Sequence, residues 1–524
     1  MSIVHKTSRL NWFNNALTTL FGNRRGTQRR RSRSRSLGME SLEQRVVLSV
    51  DFVSGFAMGV DQKGPVIVDN AVDSAGNTYI AGTFSGTVDF DQATVRPDGS
   101  DLMISSGTID GFVAKYAPDN SLVWAQKMGG AAIWDYGLQY DKATDLEVDN
   151  NGNVYVAGNY LGTSTFGQFT VSPIFSNSVY QDTFVAKLNA NGDFQWVRTA
   201  GYSGQDDVGD VTVDASGNVV MAIYSGFGMD VKKYNSGGTL QWTNSISTGF
   251  ANPWGVVARS IDVDGSGNII VSGDFAGTVD FNADPKKAFN VTGAPAPSGT
   301  SGTSGTARCV NAYVLKLSAA GTFSWVAPFI AKTTENSGSF VDGTNVDVSP
   351  TGELFVSGAY CGAVDINPSS TVDQRLNASF VRPSAFVAKL SSAGSLIWAR
   401  SIGSDGYVYP NDMQSDSAGV YIVGIFRGTL DTGNSAMPLT TGGDSDGFVI
   451  HMSNSGVTDW TYAVGGSGHD YINGIDIAPD GTLALAGSYS SPSLDFDKDG
   501  APDLLGRTTG TNNAPRFLVK LRRR

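Results

Sequence analysis

The sequence predicts an all-β protein, a seven-bladed β-propeller of four-stranded blades whose ring is closed by an N-terminal strand. Three observations carry the prediction. The phrase "DTFVAKLNANGDFQW" at 182–196 has close relatives at 110–124, 384–398 and 446–460. Each is preceded by a tight turn and a short apolar strand such as "VYVAGNY". Repeats of roughly 40–50 residues with four short strands each have the length and strand number of propeller blades.

Within a repeat the first element is an apolar strand ending in a turn with Asp first and Gly fourth. That turn occurs at Asp73–Gly76, Asp149–Gly152, Asp214–Gly217, Asp264–Gly267 and Asp416–Gly419. Asp at the first position and Gly at the fourth is type I chemistry, with the Gly expected in the left-handed conformation. Two copies read "SPTG" (349–352) and "APDG" (478–481) and place Pro second, which the same turn prefers. The third strand, "FVAK", recurs around Lys115, Lys187, Lys233, Lys316, Lys389, His451 and Lys520. The fourth carries Trp124, Trp196, Trp242, Trp325, Trp398 and Trp460, one copy fewer than the others. The missing strand is expected in "SVDFVSGFAMG" (49–59), with Phe52 in the tryptophan place. Pairing it with the last repeat would leave no open sheet edge.

Composition fits a folded body of this kind. The chain has 524 residues, 40% of them apolar and 16% charged, and 64 glycines that suit many tight turns. It has no apolar run of membrane-spanning length, and the propeller is expected to be monomeric. Cys309 and Cys361 form at most one bridge, with free thiols as the alternative. Charge divides the chain. Ten of its 37 basic residues lie in 1–46 against only Glu40 and Glu43, which leaves a net charge of −20 after position 46. Such a body repels nucleic-acid phosphates and attracts cations or basic partners.

Residues 1–46 form a basic leader with too many charges to pack, and a targeting role is expected for it. The Arg24-Arg25 pair lacks the apolar stretch of a twin-arginine signal, and "NWFNNALTTLFG" is too polar for a secretory core. The end of the leader, "MESLEQRVVLSV" at 39–50, resembles the LEPR-XLL segment of planctomycete surface and secreted proteins. Leu42, Glu43, Arg45, Leu48 and Ser49 match, while Gln44 replaces the Pro and Val47 the first Leu of the pair. That resemblance implies export or envelope attachment. Residues 47–524, with "GNVYVAG…DTFVAKLNANGDFQW", resemble the bacterial β-propeller repeat family abbreviated SBBP. The family implies a secreted or cell-surface protein, commonly without an assigned activity.

Repeat lengths differ, and the extra length falls between the second and third strands, as at 276–310. In a propeller those loops share one face with the inter-blade loops, and one-sided insertions often mark a binding face. The insertions share a short element, "GTVDF" at 86–90 and 277–281, "GAVDI" at 362–366, "GTLDT" at 428–432 and "PSLDF" at 492–496, expected to be an added strand. Aromatic rings in the inter-blade loops, Trp134, Tyr136, Tyr202, Trp254, Tyr407, Tyr409 and Tyr471, with His469, form a candidate surface for a glycan or protein partner. Core packing is the alternative for any one of them.

Calcium is the one cofactor suggested. In "DFDKDGAPD", Asp495, Asp497, Asp499 and Asp503 stand at positions one, three, five and nine of a calcium-loop pattern, with Gly500 at six. The Glu of position twelve is absent. A third set, Glu147, Asp262, Asp347 and Asp476, stands two residues before the first turn on strands expected to border a hydrated central channel. Catalytic motifs are missing: there is no G-x-S-x-G, Walker A or H-E-x-x-H, and only His5, His451 and His469 are present. The expectation is a non-enzymatic binding module. The alternative is an extracellular carbohydrate-active enzyme using paired carboxylates.

Overall fold

A computed structural model describes residues 50–58, 65–91, 102–131, 141–175, 180–226, 228–248, 255–294, 311–332, 339–369, 371–505 and 515–523. These belong to one compact unit, and the leader 1–46, Cys309, Trp134, Tyr136 and Trp254 lie outside them.

The described elements are all strands, in a propeller arrangement. The repeating set is four antiparallel strands in sequence order. The first is Val66–Val72, Thr78–Phe84, Asp110–Tyr116 and Leu122–Gly129; the second is Lys142–Val148, Val154–Tyr160, Asp182–Leu188 and Phe194–Ala200. The following sets begin at Asp206, Val256, Phe340, Tyr407 and Asp470. The last set has three consecutive strands and takes its fourth from the N-terminal side. Val50–Met58 pairs antiparallel with Arg516–Arg523, from Val50 opposite Arg523 to Met58 opposite Arg516. The chain therefore closes its own last sheet, and the edge is covered.

Four sheets have four strands, as the sequence leads one to expect, but three have six. The addition comes from neighbours. Ser164–Phe166, Ala363–Asp365 and Thr429–Asp431, each inserted between second and third strands, pair with the fourth strand of the preceding set. All five copies of the "GTVDF" element contain a short strand, at Thr87–Asp89, Thr278–Asp280, Ala363–Asp365, Thr429–Asp431 and Ser493–Leu494. Their apolar residues (Val88, Phe90, Val279, Phe281, Val364, Ile366, Leu494 and Phe496) are buried, so the hairpins lie against the sheets.

Apolar side chains fill the spaces between successive sheets rather than one central core. One layer joins Tyr79 and Val113 to Val154, Phe184 and Leu188; another joins Ile80 and Phe112 to Met58, Ala486 and Leu518, across the closure.

The repeated phrase is a device for this packing. Trp124 Nε1 donates to Ala190 O, Trp196 to Ser236 O, Trp242 to Ala319 O and Trp398 to Asn454 O, in each case in the next set's third turn. Five of the repeat lysines (115, 233, 316, 389 and 520) are buried, and three of these place the ammonium group tightly on an acid in or just after their own first turn: Lys233 to Asp214 at 2.9 Å, Lys316 to Asp264 at 2.8 Å, Lys389 to Glu353 at 2.6 Å. Burial is tolerable because the charge is paired and hydrogen-bonded.

Two expectations are corrected. Ser54, not Phe52, stands opposite Lys520, the place of tryptophan in the other sets; a bulge between Phe52 and Ser54 shifts Phe52 opposite Leu521. The left-handed glycine holds at Gly76, Gly152, Gly217, Gly267, Gly352 and Gly481 but not at Gly419. There the turn is one residue tighter, Asp416 N donating to Gly419 O.

Candidate functional site

The first strands of all the sets meet at the centre, and a circle of carboxylates ties them. Asp69 accepts from Leu146 N, Asp145 from Val211 N, Asp210 from Ile261 N, and Asp262 from Val348 N. Asp347 accepts from Ser415 N, Asp412 from Ile475 N, and Asp476 from Val72 N, which returns to the start. All seven bonds measure 2.6–3.0 Å. A bulge in each first strand creates two positions that reach the neighbour. Where the first holds Asp (69, 145, 210, 412), the second is Ala71, Glu147, Thr212 or Gln414. Where the first is Ser260, Asn345 or Gly474, the second is Asp (262, 347, 476).

Of the channel acids expected from sequence, Asp262, Asp347 and Asp476 are therefore link residues. Glu147 is not. Asp69, Asp145, Asp210 and Asp412 escaped the sequence reading, although each stands four residues before a turn Asp (73, 149, 214, 416), a spacing that could have found them.

Crowding so many acids favours protons on some of them. Burial, with Asp347 and Asp210 adding like charge, raises Asp262 to about 8. Burial raises Asp476 to about 7 and Asp347 to about 6. Burial and then Asp210 and Asp69 push Asp145 well above the usual range, and burial with Asp476, Asp262, Asp210 and Asp69 does the same to Glu147.

On the opposite side from the first turns lie the insertions. Among the described residues sixteen large apolar side chains are exposed, and nine of them fall between second and third strands: Leu102, Ile104, Ile174, Phe175, Tyr180, Phe289, Val372, Phe380 and Val381. Phe380 and Val381 are 56% and 70% exposed. The loop aromatics are less uniform. Tyr202 is exposed, yet its hydroxyl donates to Asp230 Oδ2 at 2.5 Å. Tyr407 and Tyr409 lie 5.8 Å apart and are half-buried, as is Tyr471. His469 Nδ1 is 2.8 Å from Ser445 Oγ and its Nε2 is 2.8 Å from Asp444 Oδ2. This has the residue types of a nucleophile triad, but Ser445 is fully buried and offers no hydroxyl to an outside substrate.

In the acidic loop, carboxylate oxygens of Asp495, Asp497 and Asp503 lie within 4.8 Å of one another. Asp499 is not in this group; its Oδ1 accepts from Ala501 N. Asp495 Oδ2 accepts from Gly500 N, as Asp280 and Asp365 accept from Phe289 N and Gln374 N in the corresponding hairpins. Asp495 Oδ1 is buried without a hydrogen-bond partner. Burial, with like charge from Asp497 and Asp495, raises Asp503. Lys498 is the local cation, its ammonium 5.3 Å over the Tyr462 ring.

No family model matches the chain. It is 22% identical to the uncharacterized WD repeat-containing protein L264 of Acanthamoeba polyphaga mimivirus, over 73% of this chain and 32% of that protein, so the chain spans about a third of that relative's length. Among solved structures it is similar to a PL25 ulvan lyase, with a TM-score of 0.43 and 10% identity over 83% of this chain and 92% of the lyase. It is also similar to a protein from Lactobacillus plantarum, with a TM-score of 0.38 and 12% identity over 83% and 98% of the two chains.

Proposed function

We propose that the chain is a seven-bladed, ring-closed propeller, exported or held at the cell surface, that acts as a non-enzymatic binding module. Its insertion face docks a protein partner. The observation that carries this reading is the gathering of exposed apolar side chains on the insertions, Phe380 and Val381 above all. Apolar patches on an otherwise charged surface mark interaction sites. Mixed aliphatic and aromatic exposure suits a protein more than a sugar face, and the net charge of −20 after position 46 favours a partner with a basic rim. The same reading includes a calcium ion on Asp495, Asp497 and Asp503, supported by their proximity and by the unpartnered Asp495 oxygen.

Photo-crosslinking on envelope fractions of the source cell tests it. A crosslinker at position 380 or 104 should capture one discrete protein, and a crosslinker at Val457, in a third-to-fourth strand turn, should not. Binding on a glycan array lost in Phe380→Asp would assign a glycan partner instead. Polysaccharide turnover abolished by a single Asp→Asn change would overturn the non-enzymatic reading.

A further inference from the structure

On the first-turn side, between the second and third sets, is a cavity of about 550 Å³, within the size range of ligand sites. Its walls include Glu147, Asn150, Asn151, Lys187, Ser216 and Ser236. The repeat supplies its own controls, and two of these residues depart from it.

The first departure is Lys187. Four of its counterparts have an acid in or just after their own first turn within reach, at 2.6–3.6 Å from Lys115, Lys233, Lys316 and Lys389, while Lys520, at the closure, rests on Gly76 O and Pro118 O instead. Among the described residues, no carboxylate lies within 4.0 Å of the Lys187 ammonium. It sits 5.0 Å over the Tyr155 ring and 3.5 Å from Ser236 O. Asp149, the expected partner, is engaged by Asn151 N, Asn153 and the Tyr155 hydroxyl.

The second departure is Glu147. Its set is already linked to the next by Asp145, so the circle does not use Glu147. Among the described residues its carboxyl accepts only from its neighbour Val148 N, at 3.3 Å. Burial first, and then the acids Asp476, Asp262, Asp210 and Asp69 around it, favour its protonated form. A cation without its acid and an acid without its structural task thus share one cavity with two amides and two hydroxyls.

We propose that this cavity binds an uncharged saccharide of one or two rings. Vicinal hydroxyls both give and accept hydrogen bonds, as do the Asn150 and Asn151 amides and the Ser216 and Ser236 hydroxyls. The Lys187 ammonium adds donors, and the Glu147 carboxyl, whose protonated form burial and the neighbouring acids favour, adds another. Asp149 and Asp214 in the walls are occupied by their own turns, and their charge disfavours an anionic ligand. The site is separate from the insertion face and stands or falls apart from it.

The test is a calorimetric titration of the full chain with neutral hexoses, N-acetylhexosamines and their β-linked dimers, and with glucuronate as the charged arm. At least one neutral sugar should bind in the millimolar range or tighter. Lys187→Gln and Glu147→Gln should each weaken it at least tenfold, and Phe380→Asp should leave it unchanged. Should a variant unfold, the Lys187 side-chain NMR signal of the parent chain must shift on addition of the sugar. Absence of binding across the neutral panel, binding of glucuronate alone, variants that bind like the parent, or an unmoved Lys187 signal would each overturn the proposal.

Discussion

Gly192 lies directly under the indole of Trp124: a β-carbon built on it would come within 2.7 Å of the ring. The relationship repeats at Gly238 under Trp196, Gly321 under Trp242, Gly394 under Trp325 and Gly456 under Trp398. Each glycine has φ between 74° and 86°, which L side chains rarely adopt. The first set breaks the rule in an instructive way. Its third turn holds Asn120 at φ 67°, and the set before it in the ring carries Ser54 where tryptophan would stand. Without an indole above, a β-carbon fits. At the other side of the closure the third and fourth strands of the last set are Arg516–Arg523 and Val50–Met58, with no described turn joining them, and the buried Nε1 of Trp460 has no hydrogen-bond partner among the described residues.

Gly192→Ala should therefore be costly and Asn120→Gly should not. The alanine brings both a strained φ and a clash, about 1–3 kcal/mol together. Asn120→Gly should change stability by less than about 1 kcal/mol. Urea unfolding of the two variants checks this, and equal losses would show that the indole does not select the glycine.

The acid circle predicts an unusual pH dependence. Asp262, Asp476 and Asp347, with folded values raised to about 8, 7 and 6, are stabilising when protonated. Their contribution is fully present below the ordinary carboxylate value and is lost as pH rises through those folded values. Turn acids act oppositely. Burial opposes ionisation of Asp73 and Asp149, but their hydrogen bonds from Asn77 and Tyr79, and from Asn153, outweigh it and hold both low. Their contribution is lost as pH falls through those lowered values. Stability should peak in mild acid, and the melting temperature should fall by at least a few degrees from pH 5 to pH 8. Asp262→Asn, which keeps the shape but cannot ionise, should flatten the alkaline side; a parent curve that rises towards pH 8 would contradict this.

Calcium should raise the melting temperature, by an amount equivalent to about 2.7 kcal/mol at a hundredfold excess over the dissociation constant. Magnesium should do less, because it demands stricter geometry. Asp497→Asn with Asp503→Asn should abolish the gain, while Asp499→Asn should retain most of it, since Asp499 lies outside the group of three. Differential scanning calorimetry with and without the ion distinguishes the variants.

The turns, strand order, closure and inserted hairpins were legible because each follows from local chemistry repeated many times. The acid circle was half legible. Bulges add a residue to each first strand, so Asp69 and Asp262 do the same task at different distances from their turns, and a fixed offset finds only one group. Phe52 was misplaced by two residues: it stands opposite Leu521 as Phe194 stands opposite Leu188, and Ser54 takes the tryptophan place. Asp499 fits a spacing pattern, but its oxygens do not join the group formed by those of Asp495, Asp497 and Asp503, which spacing does not show. The Lys187 departure was invisible, since the lysine and its turn acid are both present in the sequence.

The central claim is that every sheet is held by its neighbours and that Val50–Met58 completes the ring. Thermal unfolding of two truncations tests it most directly. Removing residues 1–46 should leave the melting temperature within about 2 °C of the parent, because Val50–Met58 and its pairing with Arg516–Arg523 are kept. Removing residues 1–60 strips that strand, bares the edge of Arg516–Arg523 and opens the apolar layer that includes Met58. That protein should melt at least about 10 °C lower or aggregate. Equal melting temperatures for the two truncations would contradict the closure.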